Sequence, residues 1–214
     1  TISNAYPYSK YSGSIGYEYN YIRNSVKTVV DAYTGKVDAY VIEQPLKDPM
    51  IRTYQKMFPG VFKPISQMPE ALRAHIRYPE DLFRIQTSVY TRYHYAADRP
   101  QDFYGNSDLW QIPKRASLTE VSDAETEPME PYYVIMKLPN GTAEEFILMT
   151  PYVHSGARKN MVAWICAKCD APDYGRLVLY ELPTKNVNGP QQVATFVSQD
   201  PVISQQLSLW NKEG

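Results

Sequence analysis

A chain of 214 residues fits one large domain or two small ones, and folding at this size can bury roughly 70 % of the surface that the unfolded chain exposes. Its 22 Lys and Arg are matched by 23 Asp and Glu, so there is no global positive field to hold a polyanion, which argues against a nucleic-acid partner. The longest apolar runs, YYVIMKL and FILM, fall far short of the roughly 20 residues that span a bilayer, and no signal peptide is visible.

Residues 1–18, TISNAYPYSKYSGSIGYE, mix Tyr, Ser and Gly without a period and read as a flexible Tyr-rich arm. From there Tyr19, Ile22, Val26, Val29, Val30 and Tyr33 recur at helical spacing before Thr34-Gly35, which predicts a helix closed by a glycine. Val37–Ile42 is a short strand candidate. Asp48 can cap a helix that Pro49 opens and Pro59-Gly60 ends. Two further helix starts follow at Pro69 and Pro79, where a missing N–H costs nothing. After Pro79 the apolar stripe reads Leu82, Ile85, Val89 and Tyr93, with Asp81, Arg84, Ser88 and Arg92 pointing elsewhere.

Beyond Ala96 short helical turns and a return segment are expected, anchored by Phe103, Tyr104, Leu109 and Trp110. Residues 114–130 are acidic, nearly free of large apolar side chains, and read as a surface loop or internal boundary. Tyr132–Leu138 and Glu144–Thr150 form a hairpin candidate around Pro139-Asn140-Gly141. Arg158–Lys168 looks helical, Gly175–Leu182 is a strand, and two helices follow, one through Val193 and Val197 and one opened by Asp200-Pro201. Together these predict an α+β fold, a largely antiparallel sheet of about four strands covered by several amphipathic helices. In domain terms 19–214 is a single α+β domain, with 19–113 mainly helical, 114–130 an acidic loop and 131–214 a sheet-and-helix part.

Four groups of residues could carry chemistry. His75, His94 and His154 with Glu80 and Asp81 offer imidazoles and carboxylates for acid/base work or a metal, but Glu80 and Asp81 also stand in a first helical turn, where negative charge complements the dipole. His154, Ser155, Gly156, Arg158 and Lys159 resemble a strand-to-helix turn whose N–H groups could hold an anion; the alternative is an ordinary capped loop. Tyr6, Tyr8, Tyr11 and Tyr17 could form an aromatic contact surface. Cys166 and Cys169 are the only cysteines, spaced C-x-x-C without the second pair that a structural zinc needs; they read as core thiols, with a disulfide left open. No motif implies a cofactor or a metal.

The segments YIRNSVKTVVDAY, DPMIRTYQKMFPGVFKP, MPEALRAHIRYPEDLFRIQ, MEPYYVIMKLP, NMVAWICAKCD, YGRLVLYELP and DPVISQQLSLWN, in this order, resemble a family of uncharacterised bacterial multi-spanning membrane proteins. The resemblance implies the extracytoplasmic domain of a bacterial cell-membrane protein, cut from its own transmembrane helices, which would be its first partners beside other membrane or envelope proteins. The start at Thr1, without a methionine, agrees with an excised piece. The family brings no catalytic residues to carry over. Two function classes are therefore expected: a non-catalytic interaction, assembly or ligand-sensing module, or a hydrolase or metal-assisted enzyme built on the His and carboxylate groups.

Overall fold

The computed structural model describes residues 2–3, 11–12, 18–19, 21–42, 48–95, 100–105, 109–115, 127–156, 159–183 and 186–213. The fold is α+β, and the chain forms two compact units, 1–85 and 86–214. The division falls inside the helix Glu80–Tyr93. It does not fall at the acidic segment 114–130, where 116–126 lie outside the described residues.

In the first unit three stretches of the Tyr-rich arm are extended and paired, as far as they are described: β1 (Ile2–Ser3) with β4 (Tyr21–Ile22), and β2 (Tyr11–Ser12) with β3 (Glu18–Tyr19). The helix expected over Tyr19–Tyr33 is not formed. Its second half is β5 (Val26–Val30), an antiparallel partner of β6 (Val37–Val41) with Val26 opposite Val41 and Val30 opposite Val37. Valine spacing of three and four suits a helix, but β-branched side chains favour the pleated strand, and the turn chemistry between the strands decides. Asp31 Oδ1 accepts hydrogen bonds from the Tyr33 and Thr34 N–H groups at 3.0 and 2.8 Å, and Gly35 takes a φ of 69°, which folds the chain back as a hairpin.

β6 continues through α1 (Pro49–Met57) into β7 (Phe62–Pro64), which lies parallel to it. As expected, Asp48 caps α1: its Oδ1 accepts from the Met50 N–H at 2.9 Å and from the Tyr21 hydroxyl at 2.7 Å, while the Ser25 hydroxyl donates to Oδ2. The helix at Pro69 is only the short α2 (Glu70–Arg73), whereas Pro79 precedes the fourteen-residue α3 (Glu80–Tyr93). Within the first unit Phe83 is fully buried, edge-on to Tyr78 at 6.3 Å.

The second unit is built on β10 (Glu144–His154), an eleven-residue strand with neighbours on both edges. One edge pairs with β11 (Met161–Lys168), which in turn pairs with β12 (Leu177–Glu181). The other edge pairs first with β9 (Tyr132–Lys137), up to Met149, and then with β8 (Trp110–Gln111), from Val153. Pro151 sits in the gap between these two partners. Phe146 engages the β11 side, its N–H on Asp170 and its carbonyl on the Cys169 N–H, so by alternation Pro151 faces the other edge at the one stretch that needs no donor.

β11 replaces the expected helix Arg158–Lys168. The stripe Val162, Ile165, Cys166 and Cys169 arises because a strand buried on both faces is apolar almost throughout, and such a run satisfies helical spacing by chance. One face of the sheet holds Leu138, Ile147, Met149 and Cys166, flanked by Trp164 stacked on Tyr180 at 4.3 Å. On the other face Tyr152 is fully buried and donates its hydroxyl to the Thr87 carbonyl at 2.9 Å. The buried side of this half of α3 is thus Thr87 and Tyr90; Val89 and Tyr93, expected on the core stripe, are 38 % and 66 % exposed. α4 (Pro100–Gly105) follows α3.

The chain closes with α5 (Pro190–Gln199) and α6 (Pro201–Glu213). At the start of α5 only glycine fits, because a Cβ added to Gly189 would stand 2.0 Å from the Lys159 carbonyl oxygen. Asp200 Oδ1 accepts from the Val202 and Ile203 N–H groups at 2.9 and 3.1 Å and so starts α6, as its sequence predicts.

Candidate functional site

The end of α3 carries an aromatic run that the second unit gathers into one cluster. Tyr90 lies 6.3 Å from the ring of Tyr152 and thereby fixes the rotation of the helix over the sheet. One turn later His94 Nδ1 donates to the Thr91 carbonyl at 2.9 Å, satisfying a carbonyl that the helix end would otherwise leave open. The imidazole stacks on Trp110, at 4.0 Å and 15° between planes, and on Tyr95, at 4.3 Å and 28°. Trp110 is the register partner of His154 across β8 and β10, which places the two residues opposite each other in the sheet. Phe103 of α4 completes the cluster, 5.6 Å from Tyr93 and edge-on to Tyr95 at 6.0 Å and to Tyr104 at 5.3 Å.

Beside this cluster Arg92, Tyr95, Phe103, Tyr104 and Leu109 line a half-open cleft of about 220 Å³. Its lining is as polar as it is apolar, and ring contacts hold Tyr95, Phe103 and Tyr104 in place. Tyr104, expected to be a buried anchor, is 81 % exposed. The Tyr95 hydroxyl and the Trp110 Nε1 are buried without a hydrogen-bond partner, and a buried donor left unmet costs about 1 to 3 kcal/mol unless something else meets it. Burial, together with the charge of Glu181, pushes the Tyr90 hydroxyl up, and burial does the same to Tyr152, so both stay protonated; Tyr152 donates to the Thr87 carbonyl and Tyr90 packs through its ring. Among the described residues no side chain lining the cleft is a carboxylate, an imidazole or a thiol. Its described lining contains no acid/base pair.

The other residues that the sequence singled out are placed as follows. His75 is exposed, with Nδ1 on the Ala71 carbonyl. Glu80 pairs with Arg84 at 2.8 Å, and Asp81 is exposed beside it in the first turn of α3. These three belong to the first unit and His94 to the second. Among the described residues no three His, Cys, Asp or Glu side chains group as a metal site would require. His154 ends β10, and Ser155 and Gly156 turn toward β11, so the anion loop has no helix start after it to supply N–H groups; Lys159 precedes β11, and Arg158 lies outside the described residues. Tyr6, Tyr8 and Tyr17 also lie outside them, and Tyr11 is described only as backbone of β2. Cys166 and Cys169 are both buried free thiols, and burial pushes Cys166 up to about 11.

Sequence reasoning named Phe103, Tyr104 and Leu109 as packing residues, set Arg92 on the solvent side and passed over Tyr95. The signal that could have joined them is the run Tyr-His-Tyr at a helix end followed closely by Asp-Phe-Tyr: so many aromatic rings at one corner need a common surface.

Comparison with known proteins gives a consistent picture. The uncharacterised protein family UPF0182 matches residues 1–210. A UPF0182 protein of Microcystis aeruginosa is 48 % identical over 215 residues, covering all of this chain and 21 % of that protein. One from Sulfurovum sp. is 48 % identical over 217 residues, with 22 % of its length covered, and one from Pelotomaculum thermopropionicum is 46 % identical over 215 residues, again with 22 % covered. The chain thus spans about a fifth of the length of these relatives. No solved structure matches.

Proposed function

The chain belongs to the uncharacterised protein family UPF0182, and from that premise we propose that it is a non-catalytic ligand-binding or interaction segment of a longer bacterial membrane protein, exposed on the extracytoplasmic side. The observation that carries the binding role is the cleft at Arg92, Tyr95, Phe103, Tyr104 and Leu109, whose described lining brings a guanidinium and three aromatic side chains together and includes no group able to activate water. The membrane setting is supported by the resemblance of the segments from Tyr21 to Asn211 to multi-spanning proteins. The length of the relatives leaves room for further segments, and among the described residues no helix of this chain is long and apolar enough to cross a membrane.

The setting is tested in whole cells that make the full-length protein. Tyr33 is fully exposed at the tip of the β5–β6 hairpin and both native cysteines are buried, so Tyr33→Cys presents a single accessible thiol in this segment. A membrane-impermeant maleimide labels the segment in intact cells if it faces outward. Labelling only after permeabilisation places it inside and overturns the setting. The non-catalytic role falls if the purified chain turns over a substrate and Arg92→Gln or Tyr95→Phe abolishes the turnover.

A further inference from the structure

We propose that the outer face of the helix pair α5–α6 docks on the part of the same polypeptide that lies outside these 214 residues. This docking rests on the reading of the chain as a segment of a longer protein, and it is separate from the cleft. The two helices carry an apolar surface that their own unit leaves uncovered. No described side chain of either helix is buried, and Val193, Phe196, Val202, Ile203, Leu209 and Trp210 are all exposed, Val202 by 77 % and Trp210 by 61 %. On α6 the spacing joins them into a face: Val202 and Leu209 form one column and Ile203 and Trp210 the next, because residues two turns apart stand above one another.

Helices that stay in water keep charges on their outer side. From Pro190 to Asn211 the sole ionisable side chain is Asp200, in a chain of which 21 % is charged, and its carboxylate is taken up by the first turn of α6. The hydroxyls are turned inward as well. Thr195, Ser198 and Ser208 donate to the Gln191, Thr195 and Ser204 carbonyls at 2.9, 2.9 and 2.8 Å, so they lose no partner when water leaves. Such a surface matches the core of a protein interface, where charged residues are depleted and aromatic ones enriched. It does not suit a lipid surface, since helices that lie on one are rich in Lys and Arg on their polar face. The partner is therefore an apolar protein surface that brings no unpaired charge, because the helices offer almost nothing to pair with it. The parent polypeptide can supply that surface: the match takes in the whole of this chain and only 21 to 22 % of three relatives, so about four-fifths of each lies outside it. A tethered segment acts at an effective concentration on the order of 1 mM, which favours it over a second copy arriving from solution.

The test compares the 214-residue chain with the purified full-length protein, both in the same detergent so that a micelle acts on both alike. Val202→Cys and, separately, Trp210→Cys report on the face through the rate of maleimide labelling, read on the α6 peptide by mass spectrometry and normalised to the rate in urea. Both positions are expected to label at least about tenfold more slowly in the full-length protein, because a covered thiol reacts only when the docking opens. The slowing should not change with protein concentration. Val202→Lys should lower the Tm of the full-length protein, where it buries a charge without a partner, and leave that of the 214-residue chain unchanged, where the residue is exposed. Equal labelling rates in the two proteins, or the same Tm change in both, would overturn the docking. So would slowing that grows with protein concentration, or a 214-residue chain that sediments as a dimer and becomes a monomer on Trp210→Ser, either of which assigns the face to a second copy. Purified protein exposes both sides of a membrane, so these rates are blind to sidedness: a segment found to face inward would remove the extracytoplasmic setting and leave the docking standing.

Discussion

In the five-stranded sheet of the second unit, every residue of β10 from Ile147 to His154 is buried, whereas in the three-stranded sheet of the first unit the cross-strand pair Val30 and Val37 leaves 60 % of each residue exposed. Both sheets are made of similar residues. The difference is that β10 has strands on both edges and side chains covering both faces, while the end of the β5–β6 hairpin has a partner on one edge and solvent above it. Burial of a whole Leu or Ile side chain stabilises by about 1.5 to 3 kcal/mol, and a half-covered valine gains only a part of that. Stability should therefore concentrate in β10 and its neighbours, and the first unit should depend more on its polar devices, above all the Asp48 cap.

The sharpest way to break this comparison is Leu148→Ala. Leu148 is fully buried in the middle of β10, and its truncation is expected to cost about 2 to 5 kcal/mol in urea unfolding followed by circular dichroism. A loss below about 1 kcal/mol would show that the sheet is less tightly covered than it looks.

The next largest effect is expected at Asp48. Burial raises its pKa, but hydrogen bonds from Ser25, Tyr21 and the Ile51 and Met50 N–H groups outweigh that and hold the carboxyl below the usual range. A depressed folded-state value means that Asp48 contributes fully above the ordinary carboxylate pKa of about 3.9, and that this contribution is lost as pH falls through the lower, folded value. Asp48→Asn is expected to cost about 1 to 2 kcal/mol at neutral pH and to flatten the acid limb of a Tm-versus-pH series below about pH 4. An unchanged acid limb would move the cause to another carboxylate.

The smallest effect belongs to Val30→Ala, expected within about 0.5 kcal/mol of the parent chain in the same urea assay. If it approached the cost of Leu148→Ala, the hairpin end would be a covered surface, and the contrast between the two sheets would vanish.

Sequence reasoning succeeded wherever the information was local. α1, α3 and α6 start where an acidic cap, a proline or both announce them, because a capping carboxylate and a fixed φ act within four residues of where they stand. The β9–β10 hairpin was legible for the same reason: Asn140 tolerates the positive φ of 63° that its turn demands. Two of the misread elements, β5 and β11, have apolar residues that fit either period. Their strand state comes from partners distant in sequence, such as Ile165 between Thr150 and Leu179.

The site was legible only in pieces. The aromatic run could be seen, but the core stripe of α3 was set on Val89 and Tyr93, when the sheet selects Thr87 and Tyr90 through the Tyr152 hydroxyl and ring. That rotation of the helix decides that Arg92 and Tyr95 border a cleft with Phe103 and Tyr104.

By itself, then, the sequence determined the proline- and aspartate-started helices, the turns, the absence of a strong net charge and the α+β class, since each depends on backbone preferences and side-chain chemistry within a few residues. Only the tertiary structure decided which apolar runs became strands, where the chain divides into two units and which side chains of α3 meet α4 and β8. Those outcomes depend on the surfaces that happen to be available for burial, and such surfaces exist only once the rest of the chain has folded.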